Sequence, residues 1–146
     1  MTQTTRRLAI AFAVAAGLTA TAHAELFDKA YEFKTNTILK VGTDMPAGLR
    51  LDSVEFIVPA PTKEKSTFGG PKAKVSISNL SKTSTTVAIA IAVTDAAGRL
   101  VGVATGGTKL FPLRADRQMV YSLDFGGVNA ELDKGTVFRI SIEPKP

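Results

Sequence analysis

The sequence predicts an all-β protein: one antiparallel β-sandwich that follows a cleaved leader. Three observations predict it. Short apolar runs with period-two alternation recur between residues 37 and 142, divided by clusters of Gly, Pro, Asn, Asp and Ser. β-Branched residues concentrate in those runs, above all in VAIAIAV at residues 87–93. The chain has 146 residues and no cysteine, and the 122 beyond residue 24 can bury one adequate core without covalent staples.

The leader is read from its three parts. Arg6 and Arg7 precede LAIAFAVAAGLTA at residues 8–20, an apolar run too short to span a bilayer comfortably. Ala22 and Ala24 then stand at the two small-residue positions that a signal peptidase reads. Residues 1–24 are therefore expected to be a secretory signal of the general bacterial (Sec) type, cut before Glu25, with residues 25–146 as a single domain. No cysteine follows the apolar run to take a lipid, and no later run is long enough for a transmembrane helix. The expected location is the periplasm or the exterior. Loss of Arg6 and Arg7 leaves 16 Lys plus Arg against 13 Asp plus Glu, a net charge of +3. That favours solubility and a weak attraction to anionic surfaces, and it is no nucleic-acid footprint.

The elements follow in order. ELFDKAYEF (residues 25–33) is open between a short helix, with Leu26, Ala30 and Phe33 on one face, and an extended lead-in. TILKV (37–41) reads as the first strand and GTDMPAG (42–48) as a loop. LRLDSVEFIV (49–58) is a strand whose apolar parity changes midway. A one-residue bulge near Asp52 and Ser53 would bring Leu49, Leu51, Val54, Phe56 and Val58 onto one face. PAPTKEKSTFGGPK (59–72) is too rich in Pro, Gly and charge to be a strand interior. AKVSIS (73–78) alternates cleanly, and NLSKTS (79–84) is a polar turn. VAIAIAVT (87–94) is a strand with Val87, Ile89, Ile91 and Val93 inward. Asp95, Ala96, Ala97 and Gly98 close a hairpin onto RLVGVAT (99–105), with Gly98 suited to positive φ. The glycine pair 106–107 and Pro112 flank KLF, and LRADR (113–117) is a polar bend. QMVYSLDF (118–125) is a strand, GGVNAELDKG (126–135) a connection with room for a helical turn, and TVFRISI (136–142) the last strand. Pro144 and Pro146 are expected to stop further pairing.

The stretch VSISNLSKTSTTVAIAIAVTDAAGRLVGVA resembles the middle of small bacterial immunoglobulin-like sandwiches, especially FxLYD-type domains. Asn79, Asp95 and Gly98 match their layout of strand, Asn-centred turn, long strand, Asp-x-x-Gly hairpin and return strand. IAVTD (91–95) lies where the F-x-L-Y-D signature would, and of that signature it keeps Asp95 alone. The resemblance covers the central third of the chain beyond the leader. It implies a sandwich of immunoglobulin-like type that serves as a binding or packing module without catalytic residues.

Chemistry is bounded by what is missing. The only histidine, His23, lies in the leader. Residues 25–146 therefore cannot support Ser-His-Asp or Cys-His catalysis, thiolate chemistry, or His/Cys zinc or copper sites. No cofactor motif is present, and the chain is read as a non-enzyme. The acid pairs Asp52 with Glu55, and Glu131 with Asp133, could run carboxylate hydrolysis. They are better read as solvated charges at strand ends. Asn79-Leu80-Ser81 matches a glycosylation sequon but reads as a turn-forming Asn.

Two surfaces remain. Phe68 stands among Lys63, Lys65, Lys72 and Lys74. It could be an apolar anchor in a basic rim, although the preferred reading folds it back onto the sandwich. Ala88, Ala90 and Ala92 make the outer side of the VAIAIAV strand small and apolar. Either a segment covers them, residues 25–36 and 59–72 being available, or another protein or a second copy docks there. The resulting expectation is an exported, non-catalytic binding or accessory module with a protein partner or self-association. The alternative is a small-ligand or anionic envelope-surface binder.

Overall fold

The computed structural model describes residues 25–59, 70–126 and 132–145. Residues 1–24, expected to be a leader, lie outside the described residues, as do Lys63, Lys65, Phe68, Glu131 and Pro146. Among the described residues eight strands form: β1 (Phe27–Glu32), β2 (Ile38–Met45), β3 (Leu49–Ile57), β4 (Lys72–Asn79), β5 (Thr86–Thr94), β6 (Leu100–Gly107), β7 (Arg117–Asp124) and β8 (Val137–Lys145). They make two four-stranded sheets, ordered β1-β8-β5-β6 and β2-β3-β4-β7, and every strand pair is antiparallel. The all-β sandwich predicted from the sequence is the architecture observed.

Alternation is what builds the interface between the sheets. Val87, Ile89, Ile91 and Val93 of β5 are buried beside Phe138, Ile140 and Ile142 of β8, against Val75 and Ile77 of β4. Phe56 sits at the junction of the sheets. Its ring lies 4.6 Å from Phe33, 4.8 Å from Phe138 and 6.1 Å from Phe125, in tilted and edge-on geometries that suit aromatic quadrupoles. The bulge expected in β3 is present: the register with β4 jumps between Leu51 and Ser53. Leu49, Leu51, Val54 and Phe56 consequently all face the core.

One reading left open by the sequence is decided, and others are corrected. ELFDKAYEF, open between a helix and an extended lead-in, is extended, because pairing of β1 with β8 inserts Phe27 and Phe33 into the core at even spacing, with Tyr31 stacked 5.4 Å from Phe138. The loop expected at residues 42–48 shrinks to one 3-10 turn (Pro46–Gly48), and β2 continues to Met45. Its extra residue is absorbed where the β2–β3 register shifts between Lys40 and Thr43, at Gly42 with φ +59°. Pro144 does not end the ladder but pairs with Val87. Val87 turns its N–H to the Thr108 hydroxyl and its C=O to the Thr108 N–H, away from β8. The Val87/Pro144 pair is thus of the non-hydrogen-bonded kind, where a missing N–H costs nothing. The connection after β7 holds a 3-10 turn (Leu132–Lys134) that buries Leu132.

Candidate docking surfaces

The outer face of the first sheet can be read row by row from its register. Ala30, Arg139, Ala92 and Val103 form one row across β1, β8, β5 and β6. Asp28, Ser141, Ala90 and Thr105 form the next. Glu143, Ala88 and Gly107 continue on one side, and Val137, Thr94 and Leu100 on the other. Residues 27–32, part of the segment available as a cover, are instead the edge strand of this same sheet. Ala90 is exposed and Ala88 and Ala92 are half-buried. Leu100, Val103 and Val137 stand 61%, 45% and 40% exposed on the same side.

The charged couple at the centre of this face is locked, and Glu143, opposite Ala88, pairs with Lys145 of the same strand at 3.6 Å. Arg139 Nε donates to both oxygens of Asp28, at 2.8 and 2.9 Å, and a second guanidinium nitrogen closes on the same carboxylate. The Ser141 hydroxyl donates to it at 2.9 Å. The Arg139 bonds above all, then that of Ser141, hold the Asp28 carboxyl down at about 2. A partner resting on the alanines therefore meets small side chains edged by two ion pairs, Asp28–Arg139 and Glu143–Lys145.

The hairpin and turn residues that matched the sequence pattern prove to be structural. Asp95 accepts the N–H groups of Ala97 and Arg99, each at 2.9 Å, and Arg99 Nε at 2.8 Å. The Arg99 backbone N–H leads in lowering the Asp95 pKa. Gly98 takes φ +77° there, as the turn requires. Asn79 is fully buried. Its Nδ2 donates to the carbonyls of Thr83 (2.8 Å) and Leu113 (3.0 Å), while Oδ1 accepts from the Ser81 N–H (2.9 Å) and hydroxyl (2.7 Å). An amide so engaged is shielded from glycosyl transfer.

Of the lysine rim, Lys72 and Lys74 lie on β4, in the second sheet. The register sets Lys72 opposite Asp124, and Lys74 opposite Glu55. They belong to a different sheet from the alanines, so Lys72 and Lys74 do not share a face with Ala88, Ala90 and Ala92. Of the acids, Asp52 is held by Ser78 (2.6 Å), Arg50 (2.8 Å) and Gln118 (3.0 Å). Partial burial would raise its pKa, but these three bonds together lower it. Glu55 faces Lys74 across the strand pair, and Asp133 lies in the 3-10 turn. Among the described residues, no three His, Cys, Asp or Glu side chains gather to hold a metal ion, and no helix is long and apolar enough to cross a membrane.

One apolar feature was missed from the sequence. Leu110 and Phe111, in the β6–β7 loop, stand 85% and 71% exposed. They line a shallow hollow with Met119 and the exposed Val120 of β7, where the edge strands of the two sheets approach. The signal was KLFP itself: two large apolar residues between a glycine pair and a proline, with no alternating partner to draw them inward. No family model matches this chain, and no curated protein matches it.

Proposed function

We propose that this chain is an exported, non-catalytic binding or accessory module, working in the periplasm or outside the cell through protein–protein contacts. The observation that carries the proposal is the outer face of the first sheet. There Ala92 lies between Arg139 and Val103, Ala90 between Ser141 and Thr105, and Ala88 between Glu143 and Gly107; Ala90 is exposed, and Leu100 and Val137 stand exposed at one end of the same face. Flat faces of small side chains admit close backbone approach, and an exposed apolar patch on a water-soluble domain is a common mark of an interface. The resemblance to FxLYD-type immunoglobulin-like domains supports the same reading. So does the lack of His and Cys beyond residue 24, which removes the commonest nucleophile and base machinery.

The test is a photo-crosslinking amino acid placed at Ala90 and, separately, at Lys74 on the other sheet, in the native host. One dominant adduct from Ala90, whether another protein or a second copy, and none from Lys74 is the expected result. With the crosslinker at Ala90, Thr105→Arg in the same row should remove that adduct without lowering the melting temperature, since Thr105 is exposed. Equal labelling from both positions would reject the surface assignment. N-terminal sequencing of the exported chain checks the expected cut before Glu25.

A further inference from the structure

A second surface, separate from the alanine face, takes a different partner: we propose that the β6–β7 loop docks on an anionic lipid bilayer, with Leu110 and Phe111 entering the interface and Lys109, Arg114 and Arg117 lying at the headgroup level. The proposal stands independently of the protein-docking reading, and either can fail alone.

Exposure is the first observation. Leu110 and Phe111 are the two most exposed large apolar side chains among the described residues, and they are adjacent in sequence. A protein partner would have to offer a matching pocket to such protrusions, whereas fluid acyl chains accept them without one. The loop is also held in place. Thr85 and Leu113 exchange two backbone hydrogen bonds, of 2.8 and 3.0 Å, and Asn79 Nδ2 donates to the same Leu113 carbonyl. Leu113 is fully buried, so Leu110 and Phe111 project from an anchored base and little ordering is left to pay on docking.

Charge supplies the complement. The segment KLFPLRADR (residues 109–117) carries three cations and one acid. The acid, Asp116, is taken by Lys82 at 3.0 Å. Among the described residues, Lys109, Arg114 and Arg117 enter no ion pair. Unpaired cations flanking exposed apolar side chains are the combination that anionic headgroups over a hydrocarbon layer satisfy.

The chain contains no tryptophan, so Phe111→Trp gives a single local reporter. The full chain, purified after export, is titrated with vesicles of phosphatidylcholine alone and with a third phosphatidylglycerol. Blue-shifted, brighter emission is expected with the anionic vesicles only, and 0.5 M salt should reverse it. Co-sedimentation of the chain without the reporter should weaken about fivefold for each of Lys109→Gln and Arg114→Gln, and about tenfold for Leu110→Ser. These positions are exposed, and unchanged circular dichroism confirms that the variants fold. Absence of binding to anionic vesicles at low salt would overturn the proposal. So would binding without any spectral shift, which would mean adsorption by charge alone, or binding that Leu110→Ser leaves intact.

Discussion

Removal of the Asn79 side chain offers a quantitative check on how the sandwich holds its β4–β5 crossing. Asn79→Ala deletes four hydrogen bonds of 2.7–3.0 Å at a fully buried position. Their losses are unequal. The Leu113 carbonyl keeps the Thr85 N–H at 3.0 Å, and the single proton of the Ser81 hydroxyl can turn from Asn79 Oδ1 to the Thr83 carbonyl, 2.9 Å away. The Ser81 N–H loses its acceptor. At about 1 kcal/mol for each net bond, with more for a donor left unpaired, the expected cost is about 3–4 kcal/mol. Urea unfolding with a slope of about 2 kcal/mol per M should therefore show the midpoint falling by about 1.5–2 M at unchanged slope. Asn79→Asp sharpens the test, because a carboxylate would face two carbonyl oxygens. The folded state would then raise that acid's pKa, so protons are bound preferentially by the folded form. Stability must fall as pH rises from the unfolded value near 4, and recover on acidification. A loss below about 1 kcal/mol for Asn79→Ala, or stability of Asn79→Asp that increases with pH above 4, would refute the role assigned to this side chain.

Two other expectations follow from the geometry. A Cβ at Gly102 would stand 2.6 Å from Leu132 Cδ1 and 3.2 Å from Phe125 Cδ1, so Gly102→Ala should destabilise by about 1–3 kcal/mol through overpacking, read by thermal unfolding; a neutral substitution would mean that the 3-10 turn carrying Leu132 yields freely. Asp28, held at about 2 by Arg139 and Ser141, contributes stability above its unfolded pKa that is lost as pH falls toward 2, so the melting-temperature gap between the wild type and Asp28→Asn should close between about pH 4 and pH 2 and stay constant above that range.

What could be read from the sequence was what local rules decide. The parity change in LRLDSVEFIV required a bulge, and the Asp-x-x-Gly spacing required the hairpin that Asp95 and Gly98 form. Period-two alternation identified the inward residues of β4, β5, β7 and β8, because each strand has one face to bury. What escaped depended on neighbours. FDKAYEF has a usable period of two and a plausible helical face, and only the free edge of β8 decides between them. Pro144 survives in a ladder because its partner Val87 directs its polar groups to Thr108, a fact of register that no single strand displays. The alanines announced that one side of β5 lacks polar groups but not that the N-terminal strand would pair at the sheet edge. Leu110 and Phe111 escape a reading of the sequence because exposure of an apolar residue is a tertiary property, settled here by the anchoring of Leu113.

The pairing of the first strand with the last sets the timetable of maturation. Asp28 finds its partners Arg139 and Ser141 across 111 and 113 residues of chain. β8 also separates β1 from β5, so neither neighbour can stand in for it. A polypeptide that emerges from a membrane channel with its N-terminus leading would hold β1 unpaired, and the β5 ladder open on one side, until its final nine-residue strand arrives. Closure of so long a loop is a late and slow event compared with the local β2–β3 and β5–β6 hairpins. The interval between delivery of β1 and delivery of β8 is when apolar strand edges are bare, and it is then that a holding chaperone has something to grip.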